Sequence, residues 1–169
     1  MPESPEGLLA RLAAAGIAAE THHHRPVFTV AESRDVSMRL PGGHTKNLFL
    51  RPAKGDGPFL LATLEADRQV SVNALARLAG AGKVSMASAD QLEATLGVPP
   101  GSVTPFGLVN AAPGAVRFVM DRQLADGFDR IWVHPLTNAA STGLPPAELL
   151  RFFAGLGHPC TLLDLGDPN

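Results

Sequence analysis

Tyrosine is absent from this 169-residue chain, and the aromatic side chains are eight phenylalanines and one tryptophan, Trp132. A platform of rings for stacking single-stranded RNA bases is therefore not expected. The single cysteine, Cys160, excludes both an intramolecular disulfide and a cysteine-built zinc site, which agrees with a reducing compartment and reads as a packed thiol. No apolar run approaches the roughly 18 uncharged residues that cross a bilayer. The N-terminal stretch MPESPEGLLARL opens on acidic residues rather than the basic region of a signal peptide. A cytoplasmic protein without a membrane partner is expected. Excess positive charge is missing too: the net charge of −2 supplies no global field toward nucleic acid. DNA is therefore not expected as a partner, and any RNA contact must come from a local patch of Lys and Arg.

What is present fits one compact domain over residues 1–169, with a hydrophobic fraction of 45% and a charged fraction of 18%. Ser4-Pro5 followed by Leu8, Leu9 and Leu12 on one face, and Gly16 after the last turn, predicts a short capped helix. An edge segment near residues 17–24 follows. Thr29 and Glu32 have capping-box spacing, so a helix is expected from there to about Arg39, stopped by Pro41-Gly42-Gly43. Residues 47–51 and 59–63 flank Lys54-Gly55-Asp56-Gly57-Pro58 and read as a β-hairpin. A helix over 74–79, a strand over 84–86 and a helix from Ser88 (capped with Gln91) to Gly97 come next. Strands are expected over 106–109, 116–120, 131–134 and 161–165, with a proline-started helix over 145–154. Hairpins interleaved with short helices favour an α+β fold with a mixed, mostly antiparallel curved sheet.

Three segments carry the candidate chemistry. In Pro41-Gly42-Gly43-His44-Thr45-Lys46-Asn47, two glycines permit a close backbone approach, and a lysine and an amide follow at a strand start. The same stretch also reads as a plain turn with a solvated lysine. Gly101-Ser102-Val103-Thr104-Pro105 leaves up to three successive backbone amides between a glycine and a proline. This turn either aims donors at an oxyanion or is only a stiff connection after Pro99-Pro100. His134-Pro135-Leu136-Thr137-Asn138, with Ser141 and Thr142 behind, is a polar cluster directly after an apolar strand, or a buried histidine satisfied by its neighbours. The run His22-His23-His24 does not converge on one metal ion, because adjacent strand residues face opposite ways. Nucleophile-elbow, zincin, Walker and dinucleotide motifs are absent, and neither a cofactor nor a metal is expected.

Taken in order, Val27-Phe28-Thr29-Val30, residues 41–50, Leu96-Gly97-Val98 with residues 101–108, Val116-Arg117-Phe118-Val119 and His134-Pro135-Leu136 with Asn138 resemble the YbaK-like family of prolyl-tRNA editing proteins. They look closest to its free-standing branch, which deacylates alanyl-tRNA(Pro). At Ser71-Val72-Asn73 the sequence departs from the Asp-Leu-Lys associated with relatives. The resemblance implies that family's fold, Lys46 as the active-site lysine, and Gly101 and Pro105 as the ends of a Gly-x-x-x-Pro loop. It further implies His134 and Asn138 as pocket groups, a tRNA(Pro) acceptor end as substrate, and prolyl-tRNA synthetase as a further partner.

Proline's activation pocket admits smaller amino acids, and rejecting them by lost apolar contact yields only about 1–3 kcal/mol per methylene, so a second sieve is needed. That sieve must be small and apolar. Phe28, Val30, Leu61 and Phe106 are expected to line it, with Gly43, His44, Thr45 and Asn47 contacting substrate. No Ser-His pairing is evident in the sequence, so hydrolysis by water is expected, with the amides of residues 101–105 holding the carbonyl and Lys46 acting as a cation. The alternatives are a deacylase for cysteinyl- or seryl-tRNA, a tRNA-binding paralogue without turnover, and a metal module on His22–His24.

Overall fold

The computed structural model describes residues 2–27 and 29–166, and the Val30 side chain is also outside the described residues. Two of the expected pocket groups, Phe28 and the side chain of Val30, therefore lie outside the described residues.

The chain runs α1 (Pro5–Ala14), β1 (Glu20–His23), α2 (Val30–Arg39), β2 (Gly43–Pro52), β3 (Phe59–Glu65), α3 (Val72–Leu78), β4 (Val84–Met86) and α4 (Ala89–Leu96). A 3-10 helix (Pro105–Asn110), β5 (Val116–Asp121), α5 (Arg122–Asp126), β6 (Ile131–Val133), β7 (Ala140–Leu144), α6 (Pro146–Gly155) and β8 (Cys160–Leu163) complete it. The strand order is β1-β7-β6-β2-β3-β5-β8, with β4 added to β2. Pairings β1–β7, β2–β3, β2–β4 and β6–β7 are antiparallel, and β2–β6, β3–β5 and β5–β8 are parallel. The fold is thus α+β with a mixed sheet. Its parallel share is larger than the hairpin pattern suggests, because helices carry the chain across from β3 to β5 and from β5 to β8.

Side-chain alternation along the strands builds two cores. On one face Phe49, Leu61 and Phe118 pack with Leu8 and Leu12 of α1, Leu96 of α4, Phe106, and Phe153 of α6. On the other, Leu50, Leu60, Ala62 and Leu64 pack with Leu75 and Ala76 of α3 and Val84 of β4. Each fully buried Leu or Phe contributes about 1.5–3 kcal/mol relative to leaving it exposed. Local signals fix the helix starts. Thr29 accepts from the Glu32 amide at 3.1 Å. Ser88 and Gln91 form the complete reciprocal box, and α4 ends on Gly97 at φ 72°.

Three elements differ from the sequence expectation. Residues 106–109 are not a strand. Pro105 sets the first helical position, the Thr104 hydroxyl accepts from the Phe106 amide at 3.2 Å, and Gly107 lies so close to α4 that a Cβ there would come within 2.7 Å of Leu96 Cβ. α5 was not expected; Asp121 caps it through the Gln123 amide. Neither was β7, whose Ala-Ser-Thr-Gly-Leu lacks branched alternation. Its Gly143 is required because a Cβ would stand 2.7 Å from the Trp132 ring.

Candidate active site

β2 presents successive residues to opposite faces of the sheet, and that separates the candidate groups. Asn47 opposes Thr63 and lies on the face of the main core. Its amide donates to the Val103 carbonyl at 3.2 Å, and its oxygen accepts from the Thr63 hydroxyl at 2.6 Å. This attaches the Gly101–Pro105 loop to the strand. The loop is tied again at Thr104, whose hydroxyl donates to the His134 carbonyl at 2.6 Å while capping the 3-10 helix. Beside Gly101, held at φ +92°, stands Asn138, whose side-chain amide donates to the Val27 carbonyl at 3.4 Å. Asn47, the loop, His134, Asn138 and Val27 therefore form one continuous cluster.

Among the described residues, two kinds of polar group in this cluster have no partner. Within the loop, the Ser102 amide donates to Pro99 and the Phe106 amide to Thr104, whereas the amides of Gly101, Val103 and Thr104 make no hydrogen bond among the described residues. His134 donates from Nδ1 to the Ala140 carbonyl at 3.0 Å, because a carbonyl can only accept. Nε2 is then the lone-pair nitrogen of a neutral ring, and among the described residues it has no bond. Burial lowers the His134 pKa, and the bond to Ala140 only partly offsets this. The turn after His134 is strained: Leu136 is the one non-glycine among the described residues with positive φ, at 64°.

His134, His44, Thr45, Trp132, Ser141 and Val27 line a cavity of about 30 Å³ under α2. Thr45 is fixed by donating to the Trp132 carbonyl at 2.8 Å, and His44 by bonding the Leu40 carbonyl at 2.7 Å and stacking on Trp132. Ser141 was missed as a partner of a histidine. Its hydroxyl lies 2.9 Å from His24 Nε2, while His24 Nδ1 faces the Arg25 carbonyl at 2.8 Å. The carbonyl requires the proton on Nδ1, so the serine donates to Nε2. A Ser-His pair therefore exists, formed across 117 residues and for that reason not visible as a local motif. His22 instead bonds Glu20 at 2.7 Å.

The structure corrects the remaining expectations. Lys46 is not on the loop's face. It opposes Leu64 of the second core, and its ammonium donates to the Arg68 carbonyl. Arg68 is itself locked to Asp121 by a buried two-point ion pair, with Nε–Oδ2 at 2.5 Å and Nη2–Oδ1 at 3.1 Å. Leu61 and Phe106 have no accessible surface and belong to the core, so they support the site from beneath instead of lining it. Gly43 admits the Phe128 ring, 2.6 Å from where a Cβ would sit, and Gly42 likewise admits the Arg130 carbonyl at 2.6 Å. The close approach these glycines permit is to the lead-in of β6.

Residues 24–152 match the family profile of the aminoacyl-tRNA editing domain. Prolyl-tRNA synthetase associated domain-containing protein 1 of Bos taurus is 39% identical over 157 residues, covering 91% of each chain. The prolyl-tRNA editing protein ProX of Acetoanaerobium sticklandii is 32% identical over 142 residues, covering 84% of this chain and 85% of ProX. A solved structure described as a candidate trans-editing enzyme for prolyl tRNA synthetase shares the fold, with a TM-score of 0.72 at 21% identity over 98% of this chain and 99% of that one. With a match spanning most of its length, the chain belongs to the aminoacyl-tRNA editing family, whose chemistry is hydrolysis of the ester joining an amino acid to tRNA.

Proposed function

We propose that this protein removes alanine from mischarged tRNA(Pro), acting in the cytoplasm on the tRNA acceptor end, with prolyl-tRNA synthetase as the enzyme whose errors it corrects. The observation that carries the choice of amino acid is the size of the cavity beside His134, about 30 Å³. A water needs roughly 10–15 Å³, so a space of this size favours a small side chain over a pyrrolidine ring. The names of the relatives point to the proline system.

The reaction follows from the groups left open. The ester carbonyl sits against the unbonded amides of Gly101 and Val103, the two accessible residues of the loop, which meet the oxyanion as it forms; one such donor is worth about 100- to 1,000-fold in rate. Neutral His134 accepts a proton from the attacking water at Nε2. Addition of that water to the carbonyl, followed by departure of the ribose oxygen with a proton, yields free alanine and free tRNA. Lys46 has two N–H donors beyond the one given to Arg68. From the other side of β2 it holds the phosphate of the 3′ end as a point charge.

A second reading has one specific observation in its favour. Ser141, with His24 as base, attacks the ester itself and forms an acyl-serine that water then cleaves. Ser141 is 6% exposed, which favours a structural role for the pair. Deacylation of alanyl-, cysteinyl-, seryl- and prolyl-tRNA(Pro), repeated with Ser141→Ala, tests both readings. Alanine preference with full activity in Ser141→Ala supports water attack. A preference for cysteine or serine reassigns the substrate, and inactivity with a burst in the wild-type protein selects the acyl-serine.

A further inference from the structure

The Pro52 end of β2 and the start of β5 carry a concentration of positive charge that the chemistry above does not use. Between the β2–β3 hairpin, the Gly80–Gly82 turn after α3 and the start of β5 lies a recess of about 340 Å³, lined by Lys54, Lys83 and Arg117. A second recess of about 590 Å³, lined by Arg77 and the same Lys83, adjoins it through Gly80–Gly82. Backbone pairing holds the cluster together: Pro52 opposes Val84, the Ala53 amide donates to the Lys83 carbonyl at 2.8 Å, and Leu60 opposes Arg117. Arg117 is braced by donating to the Ala79 carbonyl at 3.0 Å.

The cluster stands out by its lack of carboxylates. Six arginines elsewhere are ion-paired with Asp or Glu. Lys54, Arg77, Lys83 and Arg117 form no ion pair among the described residues, and all four are exposed. Residues 52–58 and 73–84 contain one acid, Asp56 at the hairpin tip, which lines neither recess. In a chain of net charge −2, like charges gathered this way repel one another and add nothing to folding. Such a cluster is stabilised by a polyanion.

We infer that Lys54, Arg77, Lys83 and Arg117 form a docking surface for the phosphate backbone of the tRNA body, separate from the groups that hold its 3′ end. The inference rests on the tRNA-editing function. Its geometric support is the span: from Asn47, at the site, β2 carries the chain to Pro52, about 17 Å at the rise of an extended strand. A folded RNA bridges that distance and an isolated aminoacyl-adenosine does not. Contact through phosphates also agrees with the scarcity of aromatic side chains for stacking.

The experiment compares two substrates, full-length alanyl-tRNA(Pro) and alanyl-adenosine, with the wild-type protein, Lys54→Gln/Lys83→Gln, and Lys54→Gln/Lys83→Gln/Arg117→Gln. A control replaces the ion-paired Arg122 and Arg151 by Gln. The inference predicts that KM for the tRNA rises roughly tenfold or more in the triple variant at low salt, with kcat held. The slope of log affinity for uncharged tRNA against log salt should fall by about one per cation removed. Cleavage of alanyl-adenosine and the Arg122/Arg151 control remain at the wild-type level. An unchanged KM and salt slope in the cluster variants overturns the inference while the editing function stands. Absence of deacylation in the wild-type protein overturns the editing function instead. If tRNA affinity is unchanged but binding to prolyl-tRNA synthetase is lost, the surface is a protein interface and the inference is wrong.

Discussion

The two faces of β2 hold polar groups in opposite ways. On the Asn47 side, Thr63, Val103, Thr104 and His134 bind one another through side chains and carbonyls, and this leaves loop amides and the His134 Nε2 unbonded. On the Lys46 side, Arg68 is matched with Asp121 and with the carbonyls of Leu165 and Gly166, and Lys46 caps the Arg68 carbonyl. The first face is rigid where it is bonded and reactive where it is not. The second is matched around Arg68 and leaves open only the remaining donors of Lys46. What distinguishes a site here is the groups its neighbours leave open, not the charge it carries.

Breaking the second face should cost stability first. Asp121→Ala leaves the Arg68 guanidinium buried without its carboxylate and removes the cap of α5, so unfolding free energy should fall by about 3–5 kcal/mol, read by denaturant titration. A loss under 1 kcal/mol would mean that solvent already reaches the pair. Lys46→Ala removes one charged hydrogen bond, worth about 1.5–3 kcal/mol, while sparing the ion pair beneath it. The melting temperature should fall by several degrees, and loss of the proposed phosphate contact, a charged bond of the same size, should lower deacylation kcat/KM about 10- to 150-fold, mainly through KM. Asn47→Ala, one residue away on the other face, should lower kcat instead, because it frees the loop; equal effects on KM from both variants would erase the distinction between the faces. Thr63→Val tests the smallest link: it deletes one bond to Asn47, worth about 1 kcal/mol, and should reduce kcat less than Asn47→Ala does.

Much of this was legible in the sequence. The helix starts at Thr29 and Ser88 follow from capping spacing, and the β2–β3 hairpin from glycines between two apolar runs. The loop could be picked out as a turn framed by Gly101 and Pro105, and residues 134–138 as a polar cluster directly after an apolar strand. The strand alternation that splits the histidine run also splits Lys46 from Asn47, but the expected strand began at residue 47 and β2 begins at Gly43, so this separation was not read. The Ser141–His24 pair and the β7 strand were not legible, because both depend on which distant segment lies alongside. Gly143 reads as a strand breaker until Trp132 covers it. Leu61 and Phe106 show the same limit in reverse: apolar identity suits a pocket wall and a core equally, and only packing decides.

The central claim, that hydrolysis occurs on the Asn47 face with neutral His134 receiving the proton, is tested most directly by the pH dependence of alanyl-tRNA(Pro) deacylation. Burial holds the His134 pKa below its ordinary value near 6.5, so the ring is neutral in the folded protein at neutral pH, and its contribution to stability is lost as pH falls below that value. After subtraction of spontaneous hydrolysis, kcat/KM should stay level down to pH 6.5 and fall only below it. In His134→Gln the rate should be about 100- to 10,000-fold lower and the acidic limb should disappear. A His134→Gln protein that retains wild-type activity with the same acidic limb would contradict the account.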